Sequence, residues 1–452
     1  MKRIISLLLV LVLCLSVFAG CGSKAPADEP AAPAAPAATA PKAPEVQEPA
    51  EDSGLKADIT FWSSYTETSN YGQVILAAAD AFMKENPGVT IEVSFQGTDI
   101  QSTLGPALQG GTKITMFEAN TDASTKLWLD QMMDLEEYFN TVYPESNGKP
   151  YGESIIGAYN VLSKVQGNGK YVYFPYTPQF ITIWYNMDIF DACGITEKPK
   201  TWNELMDICQ ILVDNGYTPF TSDQGHIHMA LGYYLQRRLG GEAAEALATS
   251  KTGEEWNDPA VLEVIKEFEK AASKGYYAKN ITTVVQPEAQ QEMVIDRKIA
   301  MYVCGSWMPN NLRESAGPDF RWGSIRFPLV ENGVDDGSSL SYGCYGISIN
   351  KDATKEEADA AAAFAVHLTT GEWGDYMVAE CNSIPVTEGT PWPTMVADAQ
   401  DTFDGVTNRW TAHTAMVNTG DQLPIIKSAL AKLMAGDITA EQFIEEVTAY
   451  YK

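Results

Sequence analysis

The sequence predicts an α/β protein in which helices cover a mostly parallel sheet. Two runs of β-type residues, Asp58–Ser63 and Val89–Phe95, are separated by a helical stretch from Gly72 to Asn86. This order is typical of a βαβ unit, in which a helix connects two parallel strands. The chain has 452 residues, of which 45% are apolar. A chain of that length is expected to form two or three domains rather than one core.

The first 20 residues predict a targeting segment. The basic pair Lys2-Arg3 precedes the apolar run Ile4–Val17, and small Ala19-Gly20 stand directly before Cys21. The apolar run is short for a membrane span and no stop-transfer pattern follows it. Small residues before a cysteine resemble a lipoprotein signal. We therefore expect residues 1–20 to be removed as a signal peptide and Cys21 to carry a fatty-acyl anchor such as palmitate.

Residues 21–55 predict a tether. This segment is rich in alanine and proline, with scattered glutamates, a composition that buries too little apolar area to fold. Proline-rich chains extend by roughly 3 Å per residue, so the segment could hold the folded part several tens of Å from a bilayer. The alternative is a proline-rich interaction motif, which is disfavoured because no basic cluster accompanies the prolines.

The best-defined local pattern lies between Lys170 and Gly216. Phe180–Trp184 is a short run of β-branched and aromatic residues, typical of a strand that is buried on both faces. Thr201 and Glu204 form a capping box for a helix whose apolar positions follow a 3.6-residue period. Asn215-Gly216 supplies the helix stop.

The remaining elements follow in order along the chain. Helices are predicted at Gln101–Gln109, Lys126–Phe139, His228–Arg238, Ala260–Ser273, Glu356–His367 and after a second capping box formed by Thr439 and Gln442, and strands at Ile114–Glu118, Ala300–Cys304 and Tyr345–Asn350. Pro259 suits the first turn of its helix, and Gly275 suits the end.

Three motifs carry a resemblance to a known family. The order YNMDIF, CGI and PKTWNEL within 185–205, then KIAMYVCGSW at 298–307, then YGISIN at 345–350, resembles the extracellular solute-binding proteins of sugar-importing ATP-binding-cassette (ABC) transporters. The resemblance implies a periplasmic-binding-protein-like fold, with two discontinuous α/β lobes joined by crossing hinge segments and a ligand cleft between them. Lobe 1 would comprise 56–176 and 346–390, and lobe 2 would comprise 177–345 and 391–452. The crossings would be Phe174–Ile183, Tyr342–Gly346 and about Glu388–Trp392.

The same resemblance implies a function. The protein would capture a mono- or oligosaccharide and deliver it to membrane permease subunits, as an extracytoplasmic monomer anchored through Cys21, without a cofactor or metal. Two alternatives stay open. A glycoside-acting enzyme would need two carboxyl groups about 5–10 Å apart, and a surface sugar sensor would use the same cleft without transport.

Composition excludes other classes. The net charge is −28, from 59 acidic and 31 basic residues, and the acids are dispersed, so nucleic acid is not an expected partner. Five cysteines remain besides Cys14 and Cys21, and an odd number cannot all pair, so buried free thiols are expected, with a disulfide between two of them as the alternative. No Walker loop, G-x-S-x-G or G-x-G-x-x-G motif is present. His226 and His228 lack the zinc-protease pattern and are interpreted as structural.

Ten residues are candidates for the ligand site. Sugars have apolar ring faces edged by hydroxyls, so a sugar site needs aromatic platforms together with side chains that hydrogen-bond in defined directions. The candidates are Trp62 and Tyr65 after the first strand, Glu118, Asn120 and Asp122 after the third, Tyr176 and Gln179 at the first crossing, Trp307 after the GS turn, and Tyr342 and Tyr345 at the second crossing. For Trp62, and for Tyr342 and Tyr345, packing in the core or around the cleft is the alternative. For the carboxylates of Glu118 and Asp122 the alternative is a solvated or helix-capping role. For Gln179 and Tyr176 it is a hinge position whose polar groups bond to the backbone.

Overall fold

The computed structural model describes residues 42–45, 54–403, 405–411 and 414–452. The predicted signal peptide (1–20), the predicted lipidation site Cys21 and most of the predicted tether (21–55) lie outside the described residues. Within the described ranges, no helix is both long and apolar enough to cross a membrane.

The described chain alternates strands and helices. The strands are β1 (Ala57–Ser63), β2 (Val89–Phe95), β3 (Met116–Asn120), β4 (Phe174–Asn186), β5 (Thr218–Phe220), β6 (Ile299–Gly305), β7 (Trp322–Ile325), β8 (Ser339–Ile349) and β9 (Asn408–Trp410). The α-helices are α1 (Asn70–Glu85), α2 (Ile100–Gln109), α3 (Thr121–Trp128), α4 (Glu136–Phe139), α5 (Tyr151–Ser154), α6 (Gly157–Gln166), α7 (Met187–Ala192), α8 (Trp202–Asp214), α9 (His228–Leu239), α10 (Gly241–Ala248), α11 (Pro259–Ser273), α12 (Glu288–Val294), α13 (Met308–Asn311), α14 (Arg313–Ala316), α15 (Lys355–Thr369), α16 (Gly371–Cys381), α17 (Leu423–Ala435) and α18 (Ala440–Thr448). Short 3₁₀ helices cover Gly97–Asp99, Leu129–Gln131, Pro144–Ser146, Glu254–Asn257, Thr394–Phe403, Ala415–Gln422 and Ala449–Tyr451.

The strands form a two-part sheet in the order β2-β1-β3-β8-β4-β6-β5, with β7 paired to β4 and β9 paired to β8. We call the part around β1, β2 and β3 lobe 1, and the part around β5, β6 and β7 lobe 2. In lobe 1, β1 runs parallel to both β2 and β3. The βαβ opening is therefore confirmed, and the two-lobed α/β class is the observed fold. The residue boundaries given above for the lobes stay a prediction.

The long strand β4 belongs to both parts of the sheet. Its first half, Phe174–Phe180, pairs with β8, whereas Ile181–Asn186 pairs with β6 and β7. The strand β8 is shared in a similar way, because its start pairs with β9 and its end pairs with β3. Both strands are longer than the sequence pattern predicted. The extra pairing comes from strand partners that are remote in sequence.

The prediction of a mostly parallel sheet was wrong for the middle of the molecule. The pairs β3·β8, β4·β8, β4·β6 and β4·β7 are all antiparallel. The reason is that β4 and β8 are crossing strands, which run between the lobes instead of entering the sheet through a βαβ connection. The parallel rule therefore holds at the edges, where β1 meets its neighbours and β5 meets β6.

Local helix signals were confirmed. The Thr201 Oγ1 accepts from the Glu204 N–H at 3.3 Å, and a Glu204 carboxylate oxygen accepts from the Thr201 N–H at 3.1 Å. Thr439 and Gln442 make the same reciprocal pair before α18. Pro259 begins α11, where its missing N–H costs nothing.

The predicted single helix at Lys126–Phe139 was wrong. The segment contains the end of α3, a 3₁₀ turn, an extended stretch and α4. Its apolar residues have a helical period, but the Met133 N–H donates to the Ile349 carbonyl at 2.9 Å and the Leu135 N–H donates to the Tyr171 carbonyl at 2.8 Å. These bonds to β8 and to the chain before β4 take backbone groups that a continuous helix would use.

Buried apolar side chains form two clusters. The smaller cluster covers one face of the lobe 1 sheet and includes Phe61 and Phe364. The larger cluster covers the other face, for example at Phe117, and continues into lobe 2 at Trp184. The lobes therefore share one continuous core next to the crossing strands rather than having two separate ones.

The charged side chain of Arg237 is fully enclosed in lobe 2. Arg237 is 1% exposed and pairs with Asp335. Its guanidinium also donates to the carbonyls of Phe327 and Ser339 at 3.0–3.3 Å. A buried ion needs this degree of hydrogen bonding, because an uncompensated charge in the interior costs several kcal/mol.

The five cysteines agree with the expectation of free thiols, and His226 has a protein partner. Cys193, Cys209, Cys304, Cys344 and Cys381 are all free thiols, and all but Cys193 are buried. His226 lies within 3.0 Å of an Asp223 carboxylate oxygen in the interior. Among the residues that the structure describes, no group of His, Cys, Asp and Glu has an arrangement suited to a metal ion.

Candidate functional site

A cleft of about 500 Å³ lies between the two lobes. Lobe 1 lines it with the loop after β1, the first turn of α1 and the turn after α16. Lobe 2 lines it with the segment from the end of β6 through α13 and α14, and the crossing strands β4 and β8 contribute the residues between. Two strands of different lobes, β1 and β6, thus lead into the same cleft from their carboxyl ends, where ligands bind in open α/β sheets.

Three partly exposed tyrosines form the lobe 1 wall. Tyr65 and Tyr71 stack with their ring centroids 4.4 Å apart and their planes at 17°, and Tyr345 lies 5.8 Å from Tyr65. The Tyr65 hydroxyl and the Thr177 Oγ1 are hydrogen-bonded at 3.0 Å. Burial raises the pKa of Tyr345 to about 12, and it raises the pKa of the other two rings as well. All three therefore present neutral aromatic surface and hydroxyl groups.

Glu118 fixes the loop that carries Tyr65. Its carboxylate accepts from the Ser63 hydroxyl at 2.8 Å, from the Ser64 N–H at 3.0 Å and from the Ser64 hydroxyl at 2.7 Å. The side chain has no exposed surface. Burial raises the pKa of Glu118 from 4.5 to about 7, although the serine bonds act in the opposite direction. Glu118 thus lies beneath the loop as a support for the tyrosine wall.

The crossing strand β4 has an irregularity at the cleft. Its pairing with β8 shifts register between Tyr176 and Pro178, and the intervening Thr177 has a φ of +35°. A β-branched residue rarely adopts positive φ, and such a conformation costs about 1–3 kcal/mol. The bulge turns the Thr177 hydroxyl toward Tyr65 and is followed by Gln179, which also lines the cleft.

The lobe 2 wall is built around Trp307. Its indole ring lies against the backbone of Gly305, so closely that a Cβ at position 305 would overlap the ring. A glycine is therefore required at the end of β6 for this placement. The Gly305 carbonyl accepts from the Trp184 indole N–H at 3.0 Å, which fixes the end of the strand.

Two amide oxygens in the cleft wall receive no hydrogen bond from any of the residues that the structure describes. These atoms are the Gln179 Oε1 and the Asn310 Oδ1, and both are enclosed. An enclosed acceptor without a donor costs about 1–3 kcal/mol. A ligand hydroxyl that donates to either oxygen when the lobes adjust around it would remove that cost.

The ten candidate residues divide between this cleft and the structure around it. Tyr65, Gln179, Trp307 and Tyr345 line the cleft together. The others have protein partners outside its lining. Asn120 caps α3 by accepting from the Ala123 N–H, and Asp122 pairs with Arg409. Tyr176 is 1% exposed beside Met377, and Tyr342 packs on Tyr159 and Phe403. Trp62 packs against the larger core cluster, and Glu118 lies beneath the Ser63–Ser64 loop. A ligand-contacting role for any of the ten stays a prediction.

Sequence reasoning missed several residues of the cleft lining. Tyr71 lies in the first turn of α1, and Asn310 and Arg313 follow Trp307 within six residues. A signal for Tyr71 was present, since the helix after the first strand of a βαβ unit begins at the ligand edge of the sheet. No local pattern marked the turn after α16, which joins the cleft through tertiary packing alone.

Comparisons with known proteins agree with this architecture. A 236-residue match covers 50% of this chain and 48% of the diacetylchitobiose binding protein NgcE from Streptomyces coelicolor, at 25% identity. A putative binding protein from Brucella abortus is 24% identical over 62% of this chain and 64% of its own length. The matches thus span 48% and 64% of the two relatives' own lengths, which is less than two thirds of each.

Solved structures show the same fold. A chitin oligosaccharide binding protein superposes with a TM-score of 0.65 at 20% identity, covering 88% of this chain and 98% of that one. RafE in complex with raffinose also gives a TM-score of 0.65, at 18% identity, covering 88% and 99%. The model of the family described as bacterial extracellular solute-binding protein matches residues 65–374. The chain belongs to that family of bacterial extracellular solute-binding proteins.

Proposed function

We propose that this protein captures a carbohydrate in the cleft between its lobes and passes it to the membrane permease of an ABC importer. The observation that carries the proposal is the pairing of the stacked tyrosine wall of lobe 1 with Trp307 of lobe 2 across one cleft. Flat aromatic surfaces on both sides suit the two apolar faces of a sugar ring.

The polar groups of the cleft complement sugar hydroxyls. The enclosed amide oxygens of Gln179 and Asn310 would accept from hydroxyl donors, and the hydroxyls of Tyr65 and Ser306 can donate or accept. Buried polar groups placed in this way discriminate strongly between ligands that do and do not pair with them.

The size of the cleft favours more than one sugar ring. A volume of about 500 Å³ lies within the roughly 300–1,000 Å³ of sites that enclose drug-sized ligands. The names of the relatives given above include a disaccharide and a trisaccharide as ligands. Di- and trisaccharides are therefore the first candidates.

The cleft supports binding rather than glycoside hydrolysis. Hydrolysis requires a pair of carboxyl groups on the two sides of the scissile bond. Among the described residues that line the cleft, Glu314 is the only one with a carboxyl group. Glu118 is enclosed beneath the Ser63–Ser64 loop and bonded to it. A sensor role without transport would use the same cleft and would differ only in its partner.

An extracytoplasmic location follows from the family, and we propose attachment through an acylated Cys21. The basis is the signal-like segment 1–20 and the alanine- and proline-rich residues after it. Mass spectrometry of protein extracted from membranes should find lipid on Cys21, and Cys21→Ala should release the protein into the medium. An unmodified Cys21 in membrane extracts would contradict the anchor.

The binding proposal is tested by calorimetry of the protein from residue 22 onward. The panel should contain mono- to tetrasaccharides, including diacetylchitobiose and raffinose. At least one sugar should bind, and Trp307→Ala should weaken it about 30-fold, since aromatic anchors contribute about 2 kcal/mol or more.

Gln179→Ala is the second cleft substitution in this test. A buried tryptophan such as Trp256 is unsuitable as a control, because its substitution would disturb the core. Leu127→Ala, on the outer surface of α3, is the suitable control and should leave affinity unchanged. Sugar binding that is insensitive to both cleft substitutions would overturn the site. An absence of binding across the panel would overturn the carbohydrate proposal.

A further inference from the structure

Arg313 connects the two lobes inside the cleft. Arg313 begins α14 in lobe 2 and is part of the cleft lining. Its Nη1 donates to the backbone carbonyl of Glu380 in lobe 1 at 3.1 Å. With the Asn70 amide turned so that its oxygen faces the guanidinium, that oxygen accepts from Nη1 at 3.3 Å and from Nη2 at 2.6 Å.

Both acceptors belong to helices of lobe 1. Asn70 is the first residue of α1, next to the capping Ser69. Glu380 lies in the last turn of α16, where carbonyl groups lack helical partners and carry the negative end of the helix dipole. A cation is therefore favoured at this place, and the guanidinium fork can bond both groups at once.

The contact depends on how far the lobes have closed. Arg313 belongs to lobe 2, whereas Asn70 and Glu380 belong to lobe 1, so rotation of the lobes apart removes all three hydrogen bonds together. An interaction that exists in only one of two conformations shifts the equilibrium toward that conformation. Among the described residues that line the cleft, Arg313 is also the only basic one.

We propose that Arg313 is a closure residue: its bonds to Asn70 and to the end of α16 stabilise the closed arrangement of the lobes. The inference rests on the proposed function, in which ligand is held by the closed form. Arg313 then raises the affinity for every sugar that closes the cleft by the same factor. It is a positioning residue and not the recognition site for a charged sugar.

The competing role predicts a different pattern. An arginine that recognises an anionic group on the ligand would matter for uronates or sugar phosphates and not for neutral sugars. Its donors are instead directed at two groups of lobe 1. The comparison of neutral and anionic ligands therefore separates the two roles.

The first experiment measures affinity. In Arg313→Gln, every neutral sugar that binds the wild type should bind about tenfold more weakly, which is about 1.4 kcal/mol. The matched control is Arg321→Gln, because Arg321 is also in lobe 2 but pairs with Asp188 and Asp191 of the same lobe. A loss confined to anionic sugars, or no loss for neutral ones, overturns the proposal.

A double-mutant cycle identifies the partner. Asn70→Ala should weaken binding in the wild type but should have little further effect in Arg313→Gln, because the bond between them is then already absent. Strictly additive losses would show that the two side chains act independently and would overturn the link. Thermal unfolding of each variant verifies that the fold is retained.

The second experiment measures closure without sugar. In the protein from residue 22 onward, spin labels at Lys84→Cys in lobe 1 and Lys251→Cys in lobe 2, in a Cys193→Ser background, report the distance between the lobes. The four remaining native thiols, Cys209, Cys304, Cys344 and Cys381, are buried. A short-distance population should be present and should shrink several-fold in Arg313→Gln but not in Arg321→Gln. If no sugar of the panel binds, the proposed function fails. The distance distribution measured without sugar then decides by itself whether Arg313 stabilises the closed arrangement. An unchanged distance distribution overturns the closure role.

Discussion

The buried carboxyl of Glu118 predicts a pH dependence that a single substitution should remove. Glu118 has no exposed surface, and burial raises its pKa from 4.5 to about 7 in the folded protein. In the unfolded chain, the carboxyl titrates near its ordinary value. At pH values between 4.5 and about 7, the folded state therefore holds a proton that the unfolded state has released.

The sign and size follow from this difference. Below about pH 4.5 both states are protonated and Glu118 carries no penalty. As the pH rises from 4.5 to 7 the unfolded state ionises first, so the free energy of unfolding falls. Each pKa unit corresponds to 1.36 kcal/mol, and the total loss is about 3 kcal/mol.

Glu118→Gln is the perturbation, because the amide is similar in shape and does not titrate. Urea unfolding of both proteins at pH 4.5, 5.5, 6.5 and 7.5 gives the difference in unfolding free energy at each pH. This difference should change by about 3 kcal/mol across the series, with the wild type losing relative to the variant. The contributions of all other titrating groups are the same in both proteins and cancel in this difference. A constant offset, or a change of opposite sign, would refute the assignment of a proton to buried Glu118.

Three further substitutions test other parts of the structure. Gly305→Ala should displace the Trp307 ring, because the ring occupies the space of the new Cβ. Sugar binding in calorimetry should weaken at least tenfold while the melting temperature changes little, and unchanged affinity would contradict the placement of the ring. Arg237→Met should lower the free energy of unfolding by about 3–5 kcal/mol in urea, because Asp335 would then be buried without its partner; a loss under 1 kcal/mol would contradict this. Thr177→Gly should be about 1 kcal/mol more stable than Thr177→Ala in the same assay, since only glycine relieves the positive φ; equal stabilities would show that the bulge is unstrained.

The sequence predicted the parts of the fold that depend on local chemistry. The reciprocal bonds of Thr201 and Glu204 lie within one turn, so four consecutive residues contain the whole interaction. The strands β1 and β2 were located for a similar reason, because alternation and β-branched residues are visible over seven positions. The stretch after α3 was wrongly predicted to be helical, because the backbone of Met133 is bonded to a strand more than 200 residues away.

The site was only partly predictable, because its members meet through tertiary structure. Trp307 and Tyr65 follow strands that end at the cleft, and this property is readable from the chain. Glu118 also lies near the end of a strand, but its direction depends on how β3 pairs with β1 and on where the Ser63–Ser64 loop lies. The partner of Arg313 at the end of α16 is 67 residues away, and no sequence pattern connects the two.

A crystal structure with the tightest-binding sugar of the panel would show directly whether the cleft is the binding site. In that crystal structure, sugar rings should lie between the Tyr65–Tyr71 wall and Trp307, with hydroxyls within 3.2 Å of the amides of Gln179 or Asn310. Sugar bound at another surface, or a sugar that leaves Trp307 and both tyrosines uncontacted, would contradict the proposed site.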